Sequence, residues 1–364
     1  MKRSRLLISC ASLLLFFSVA APTTVQATSN VTTNISDFYR TYYSPSEIAQ
    51  IKQFQQTYQS LDNDLYNKSN LFTTAPKLTT DGTFDPGVLS GNALNGTISW
   101  INYYRSLSGL SPISSKEASN NTSQIASSVM AVSNSSPYIN QHFLVNTPRS
   151  SFIPDRYWYQ AVYGTGYGNL YFGYPKTIGE PIRELIFDDT DIEGSDTGHR
   201  AWLLSPKLST VGVGISIANN GRQYETIFVN NPTDIYNQAE KSVVTYPYNL
   251  FPVEELTNKY GALIPWSITF ADQNKNMVTD QTSITVENLT DGTVGTTTPL
   301  TDRSYAYLSD VIAYMPPRSI TINNHSTYRV TINNLNSESV PSYSYTFKTF
   351  SETANGLGYG YANQ

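Results

Sequence analysis

The chain has 364 residues, of which 39% are hydrophobic and 13% aromatic, so it can form a sizeable folded core in one or two domains. Acidic residues outnumber basic residues by 28 to 23, which excludes a typical nucleic-acid-binding protein, because such proteins carry the opposite excess. The N-terminus departs from this balance. Lys2, Arg3 and Arg5 precede a mostly apolar run over residues 6–21, and this pattern predicts a secretory signal peptide over residues 1–27.

The predicted cleavage site also determines which residues remain in the mature protein. Val25 and Ala27 are small residues at the −3 and −1 positions, so we expect the mature chain to begin at Thr28. Cleavage removes Cys10, the only cysteine. No later stretch is apolar enough to predict a transmembrane segment, so we expect a secreted, extracellular protein. The absence of disulfides favours a Gram-positive bacterium as its source.

The N-terminal segment, residues 28–91, is predicted to contain one amphipathic helix and a linker. Ser44 and Glu47 have the spacing of a capping box, with Pro45 at the first helical position. Apolar residues then recur every three or four positions, which predicts a helix of about six turns up to residue 65. Proline and glycine interrupt residues 67–91, and we interpret that stretch as a linker.

A first domain is predicted over residues 92–232. Helical periodicity covers residues 92–108 and 116–132, and an irregular section rich in Tyr, Gly and Pro follows. A short helix is predicted near residues 180–188. Two strands are predicted over 211–218 and 224–229, joined by a hairpin turn at Asn219, Asn220 and Gly221.

A second domain is predicted over residues 238–352, where the apolar residues change to a period of two. The predicted strands cover residues 242–246, 266–270, 283–287, 319–322, 327–332 and 343–350. Their number indicates a small all-β sandwich. The sequence as a whole therefore predicts an α+β protein, in which a mixed domain precedes a β-domain.

The three histidines are the first candidates for a functional site, because imidazole binds metals and transfers protons near neutral pH. His325 lies between two predicted strands, and we expect it in a solvated loop. His142 and His199 both fall in the first domain. They could share one divalent ion with a carboxylate, or they could simply form hydrogen bonds within the fold; spacing alone does not decide.

Acidic residues cluster just before His199. Seven carboxylates lie within seventeen positions: Glu180, Glu184, Asp188, Asp189, Asp191, Glu193 and Asp196. Residues 189–194 resemble the start of a calcium-binding loop, but position twelve is Arg200, where an EF-hand needs glutamate, so a solvated acidic loop is the competing interpretation. The GxSxG, GxxxxGK and GxGxxG motifs are absent from the sequence.

Several ordered motifs resemble those of CAP proteins, the family of cysteine-rich secretory proteins, venom antigens and plant pathogenesis-related proteins. The segment NYYRSLSGLSPI, residues 102–113, resembles the first-helix signature of the family. The segments GHR (198–200), WLLSP (202–206) and VGVG (211–214) resemble the bacterial form of the second signature. The match covers residues 92–232, and the β-domain resembles the partner that follows bacterial CAP domains.

This resemblance implies an α-β-α sandwich with an open groove lined by two histidines and two acidic residues. The histidines correspond to His142 and His199, which in some members bind zinc or another divalent cation. The first acidic position of the family corresponds to Asn169, so one ligand is missing here. The second acidic position corresponds to Asp189 or Glu184, and we favour Asp189.

Two functional classes remain open at this point. The first is an extracellular binding module whose groove, including His142, Asn169, Asp189 and His199, binds a cell-wall, lipid or host-surface ligand. The second is a divalent-metal-dependent hydrolase, in which His142 and His199 hold the cation and Asp189 or Glu184 accepts a proton from bound water. The missing glutamate favours the binding module, and a purely structural role in the cell envelope is a third alternative.

Overall fold

The computed structural model of the chain describes residues 41–64, 69–79, 81, 83–189, 196–271, 277–308 and 310–353. The predicted signal peptide, its cleavage site and most of the calcium-like loop lie outside these residues. From Tyr43 onward the described chain forms one contact unit, which contains both predicted domains. Within the described ranges, no helix is both long enough and apolar enough to cross a bilayer.

Helix α1, Pro45–Ser60, begins with the predicted capping box. The Ser44 hydroxyl accepts from the Glu47 amide, and the Glu47 carboxylate accepts from the Ser44 amide. The helix is shorter than predicted, because Leu61 has an extended backbone conformation and buries its side chain after the turn. The apolar residue at this position therefore supports the core without extending the helix.

The predicted linker is structured where it is described. Strands β1 (Phe72–Thr74) and β2 (Val88–Leu89) pair antiparallel. Phe84, between them, is buried in a hydrophobic cluster with Ile125 and Val129 of the first domain. The interpretation of this stretch as a linker is therefore wrong, because its apolar side chains complete a core that lies further along the chain.

The described part of residues 91–232, which spans the predicted first domain and is called so below, contains five α-helices and a four-stranded sheet. The helices are α2 (Gly91–Leu107), α3 (Glu117–Val132), α4 (Asp155–Gly166), α5 (Glu180–Phe187) and α6 (Gly198–Leu203). The strands are β3 (Ser114–Ser115), β4 (Gly168–Gly173), β5 (Thr210–Ile217) and β6 (Gln223–Phe228), in the spatial order β3-β5-β6-β4. The predicted helices α2, α3 and α5 and the predicted strands β5 and β6 are thus present, with ends shifted by at most one residue.

Helix α3 packs tightly on this sheet. The Gln124 side chain donates to the carbonyl of Ile215 and accepts from its amide, which satisfies backbone groups of β5 beyond its short partner β3. A Cβ atom on Gly214 would lie 2.1 Å from the backbone carbon of Ser123, so only glycine allows this approach. Leu170 of β4 joins the core on the α3 side, whereas its neighbour Tyr171 lies near Glu184 of α5.

The section predicted to be irregular contains α4 and β4. Its glycines have a packing role there: a Cβ on Gly164 would come within 2.9 Å of the Ala126 side chain on α3. Small residues therefore bring two helices together, although the same residues weaken the helical pattern in the sequence.

The region predicted as the second domain, and called so below, contains two sheets among its described residues. The strands are β7 (Val243–Tyr246), β8 (Asn249–Pro252), β9 (Trp266–Phe270), β10 (Ser283–Asn288), β11 (Val294–Thr297), β12 (Thr301–Arg303), β13 (Asp310–Tyr314), β14 (Thr327–Asn333) and β15 (Ser342–Phe350). Five form a sheet of order β11-β10-β14-β15-β8, and four form a sheet of order β12-β13-β9-β7. Aromatic contacts such as Trp266 with Phe347 and Phe270 with Tyr343 join the two sheets face to face. The prediction of mixed α and β structure is confirmed.

Two sequence predictions for this domain are wrong. Residues 319–322 form no strand, because the Ile320 amide closes a turn onto the carbonyl of Pro317. His325 is not solvated: it is buried, and its Nδ1 lies 3.0 Å from the hydroxyl of Tyr43. Burial lowers the pKa of His325 to about 4, so this ring is neutral at physiological pH.

Candidate functional site

His142 and His199 both line one cavity of about 390 Å³. Its walls come from the turn at residues 137–143, the start of β4, the end of α5, the first turn of α6, and the second domain. Asn169, Glu184, Asp188, Asp196 and Tyr305 also line it. Two imidazoles that lie 57 positions apart in the sequence therefore reach the same cavity, together with three carboxylates.

His142 is held by its backbone and by its ring. It begins a short 3₁₀ turn, His142–Leu144, and its amide donates to the Asn140 side chain. Its Nδ1 lies 2.8 Å from the carbonyl oxygen of Thr165, so Nδ1 carries the proton of the neutral ring and donates it to that carbonyl. Phe143 follows with φ of 56°, a left-handed conformation that is unfavourable for a phenylalanine and common at functional sites.

His199 is held by a buried carboxylate. Its Nδ1 lies 2.7 Å from Oδ1 of Asp188, a side chain that is almost completely buried. The other oxygen, Oδ2, accepts from the backbone amide of Arg200, so Asp188 contacts the first turn of α6 at two points. A carboxylate in this position fixes the orientation and the tautomer of the imidazole.

The structure places Asp188, rather than the favoured Asp189, against the histidine. Asp188 ends α5 in a left-handed conformation with φ of 54°, and this turn directs its side chain toward α6. The carboxylate of Asp189 instead accepts from the side-chain amide of Asn258, 2.7 Å away, and does not line the cavity. Glu184, the other candidate, does line the cavity and forms an ion pair with Lys259, whose pKa it raises.

Asn169 occupies the position that the family resemblance assigned to an acidic residue. It is buried, and its side-chain amide donates to the backbone carbonyl of His199 over 2.8 Å. This hydrogen bond fixes α6 to β4. A glutamate here could not donate in its ionised form, so the asparagine stabilises the wall of the cavity through a contact that the acidic residue would not make.

The second domain contributes to the cavity, which the sequence did not predict. Tyr305, which follows β12, lines the cavity and donates to Oδ2 of Asp196 over 2.6 Å. Arg303 donates to the same oxygen over 2.9 Å, and the Gly198 amide donates to Oδ1. Burial and the neighbouring carboxylate raise the pKa of Tyr305, so its hydroxyl stays protonated. The next two residues, Ala306 and Tyr307, both have positive φ, which marks a constrained loop.

The cavity combines acidic and aromatic character. Among the described residues that line it, none is lysine or arginine, whereas Glu184, Asp188 and Asp196 are acidic. Aromatic rings also line it: Phe143, Tyr167, Tyr171, Phe172, Trp202 and Tyr305. Such a cavity disfavours anionic ligands and favours neutral or cationic ones that have apolar faces.

The described residues contain no set of three or more His, Cys, Asp or Glu side chains arranged to hold a metal ion. A site that uses His142 and His199 for zinc or another divalent cation therefore remains a prediction. The calcium-like loop, residues 189–194, lies outside the described residues except for Asp189. A scan against protein-family models and a search of curated proteins found no match for this chain.

Proposed function

We propose that this chain is a secreted CAP-like protein that acts as an extracellular binding module, and that the cavity shared by His142 and His199 is its ligand site. The observation that carries the proposal is the convergence of His142, Asn169 and His199 on one cavity. These are three of the four groove residues that the family resemblance assigned. For the fourth, acidic position, the alternative candidate Glu184 and the neighbouring Asp188 both line the cavity, whereas the favoured Asp189 does not.

The chemistry of the cavity favours binding over turnover. Asn169 makes a structural hydrogen bond and provides no acid or base. Of the three ligand sources we consider, a neutral cell-wall component fits the acidic lining better than an anionic lipid headgroup, and a host-surface protein is the remaining alternative.

The contact between Asp188 and His199 also supports a second candidate, a divalent-metal-dependent hydrolase. An imidazole whose Nδ1 is held by a carboxylate is a suitable metal ligand or general base. His142 would be the second imidazole, and a third ligand would be needed to complete the site. This candidate requires that the full chain bind zinc, and that both His142→Ala and His199→Ala abolish the binding.

Retention of the purified chain on isolated Gram-positive cell walls tests the proposed function. We expect His142→Ala and His199→Ala each to weaken retention at least tenfold, because each removes a side chain from the cavity. Arg329→Ala is the control, since it breaks an exposed ion pair with Glu287 on the second domain. Equal retention of all four proteins would contradict the proposal, and preferential binding to anionic phospholipid vesicles would replace a cell-wall ligand with a lipid.

A further inference from the structure

Three tyrosines form an exposed row beside the cavity. Tyr159, Tyr163 and Tyr167 are spaced four positions apart, so they lie on one face of α4. Tyr167 is the first residue after the helix. They are 62%, 44% and 40% exposed. We call these three residues the tyrosine stripe. Successive members rise about 6 Å along the helix axis, a step comparable to the length of one sugar ring.

Burial of the opposite helix face already anchors α4. Trp158 and Ala161 are buried in the core cluster of the first domain, and the Thr165 hydroxyl donates to the Ala161 carbonyl. The Tyr163 ring also contacts Phe228 of β6, with the ring centres 5.4 Å apart, so the stripe adds to an attachment that the buried face already provides. An aromatic row that is exposed on an anchored helix is a rigid surface, and tyrosine loses little conformational entropy when it contacts a ligand.

The stripe is continuous with the cavity. Tyr167 lines the cavity, its ring lies 5.1 Å from that of Tyr163, and it also lies 5.3 Å from the ring of Phe143, which lines the same cavity. A ligand that occupies the cavity and extends past Tyr167 therefore meets Tyr163 and then Tyr159. This arrangement suits a chain-like ligand better than a small molecule.

The charges restrict the kind of chain. The described lining of the cavity contains no lysine or arginine, and Lys259 and Arg303 beside it are already paired with Glu184 and Asp196. A polyanion would therefore find no uncommitted cationic side chain there, which disfavours teichoic-acid-like polymers and anionic lipid surfaces. A neutral sugar chain presents apolar ring faces that can stack on tyrosine, and hydroxyl groups that can bind carboxylates, phenols and amides. We propose that the tyrosine stripe is a stacking platform for a linear, neutral polysaccharide that runs outward from the cavity. This inference rests on the proposed function and specifies its ligand.

A length series of neutral N-acetylglucosamine oligosaccharides, from the monosaccharide to the hexasaccharide, tests the inference by calorimetry on the full chain. We expect wild-type affinity to rise with oligosaccharide length. Tyr163→Ala should weaken binding of the hexasaccharide at least tenfold and leave binding of the monosaccharide unchanged. Tyr163→Phe should retain both, because it keeps the ring. Tyr236→Ala is the control, since Tyr236 is 88% exposed and lies outside both the stripe and the cavity lining.

Several outcomes would overturn the stripe as a platform. They are wild-type affinity that does not depend on length, an equal loss with Tyr236→Ala, or no binding of any oligosaccharide. Retention on cell walls that still depends on His142 and His199 would then leave the proposed function standing without this ligand class. If Tyr163→Ala unfolds, Tyr159→Ala replaces it, because that ring is the most exposed of the stripe.

Discussion

His199 and Arg200 are neighbours in one short helix, yet their side chains enter opposite environments. His199 lines the cavity, where Asp188 holds its ring. Arg200 is completely enclosed on the other side, between the first domain and the second. It donates to the carbonyls of Ile186 and Phe187 and to that of Pro265 in the second domain.

On the junction side of α6, Arg200 makes its hydrogen bonds within the protein. On the other side, His199 faces the cavity. The Arg200 guanidinium lies 4.1 Å from the centre of the Tyr246 ring, and burial lowers its pKa. Because both side chains belong to α6, the domain junction also positions the cavity wall. We therefore expect changes on the junction side to act mainly on stability and changes on the cavity side to act mainly on binding.

Replacement of Arg200 is the strongest test of this comparison. Arg200→Met leaves three buried carbonyl groups without their donor, so we expect the free energy of unfolding to fall by about 4 kcal/mol. Equilibrium urea unfolding measures the change. Arg329→Met is the matched control and should cost less than about 1 kcal/mol, since its ion pair is exposed. A similar small loss for both variants would contradict the role of Arg200 at the junction.

Glu225 extends the comparison to a buried titratable group. Its carboxyl lies near the cavity but is shielded from solvent. Glu225 pairs with Tyr171 across β4 and β6, and burial raises its pKa to about 8. Its folded pKa exceeds the ordinary value of 4.5, so the folded state keeps a proton that the unfolded state releases. Stability should therefore fall as pH rises from about 4.5 to 8.

The isosteric variant Glu225→Gln removes this titration. We expect its free energy of unfolding to match that of the wild type at pH 5 and to exceed it by about 3 kcal/mol at pH 8. The upper limit of this difference is about 1.4 kcal/mol for each unit by which folding raises the pKa. Urea unfolding at the two pH values measures the difference. Glu287→Gln, in an exposed ion pair, is the control and should show little dependence on pH. A constant difference between wild type and Glu225→Gln would show that Glu225 is ionised in the fold.

Asp188→Asn should have the smallest effect on stability and a clear effect on binding. Asparagine tolerates the left-handed backbone at this position and keeps one oxygen acceptor, so we expect a loss of about 1 kcal/mol in unfolding free energy. Binding should weaken about tenfold, which corresponds to about 1.4 kcal/mol. Retention on cell walls, with Asp189→Asn as the matched control, distinguishes the two neighbouring carboxylates. Weaker binding with Asp189→Asn alone would reverse their assignment.

The sequence predicted elements where local signals agree. The capping box and the periodic apolar residues identified α1, and alternation along β14 identified a half-buried strand. It missed β13, because the sequence DVIAY does not alternate between apolar and polar residues, whereas the equally buried β9, WSITF, does. It missed α4 because glycine and tyrosine obscure the helical period. Each failure occurs where long-range packing overrides the local pattern.

The candidate site was predictable only in part. His142, Asn169 and His199 were assigned through the family resemblance, and the structure brings them to one cavity. The choice between Asp188 and Asp189 depended on a left-handed turn at the end of α5, which the sequence does not specify. Tyr305 could not be assigned, because it reaches the cavity from a different domain, 109 positions beyond the Asp196 that it contacts.

The contact between α1 and β15 affects the order in which the chain folds. Lys348 of β15 pairs with Glu47 of α1 across 301 positions, and the Gln55 side chain donates to the Ser351 carbonyl nearby. A chain that is synthesised or exported from its N-terminus presents α1 long before its partner strand is available. The contacts between α1 and β15 can therefore form only after β15 has emerged.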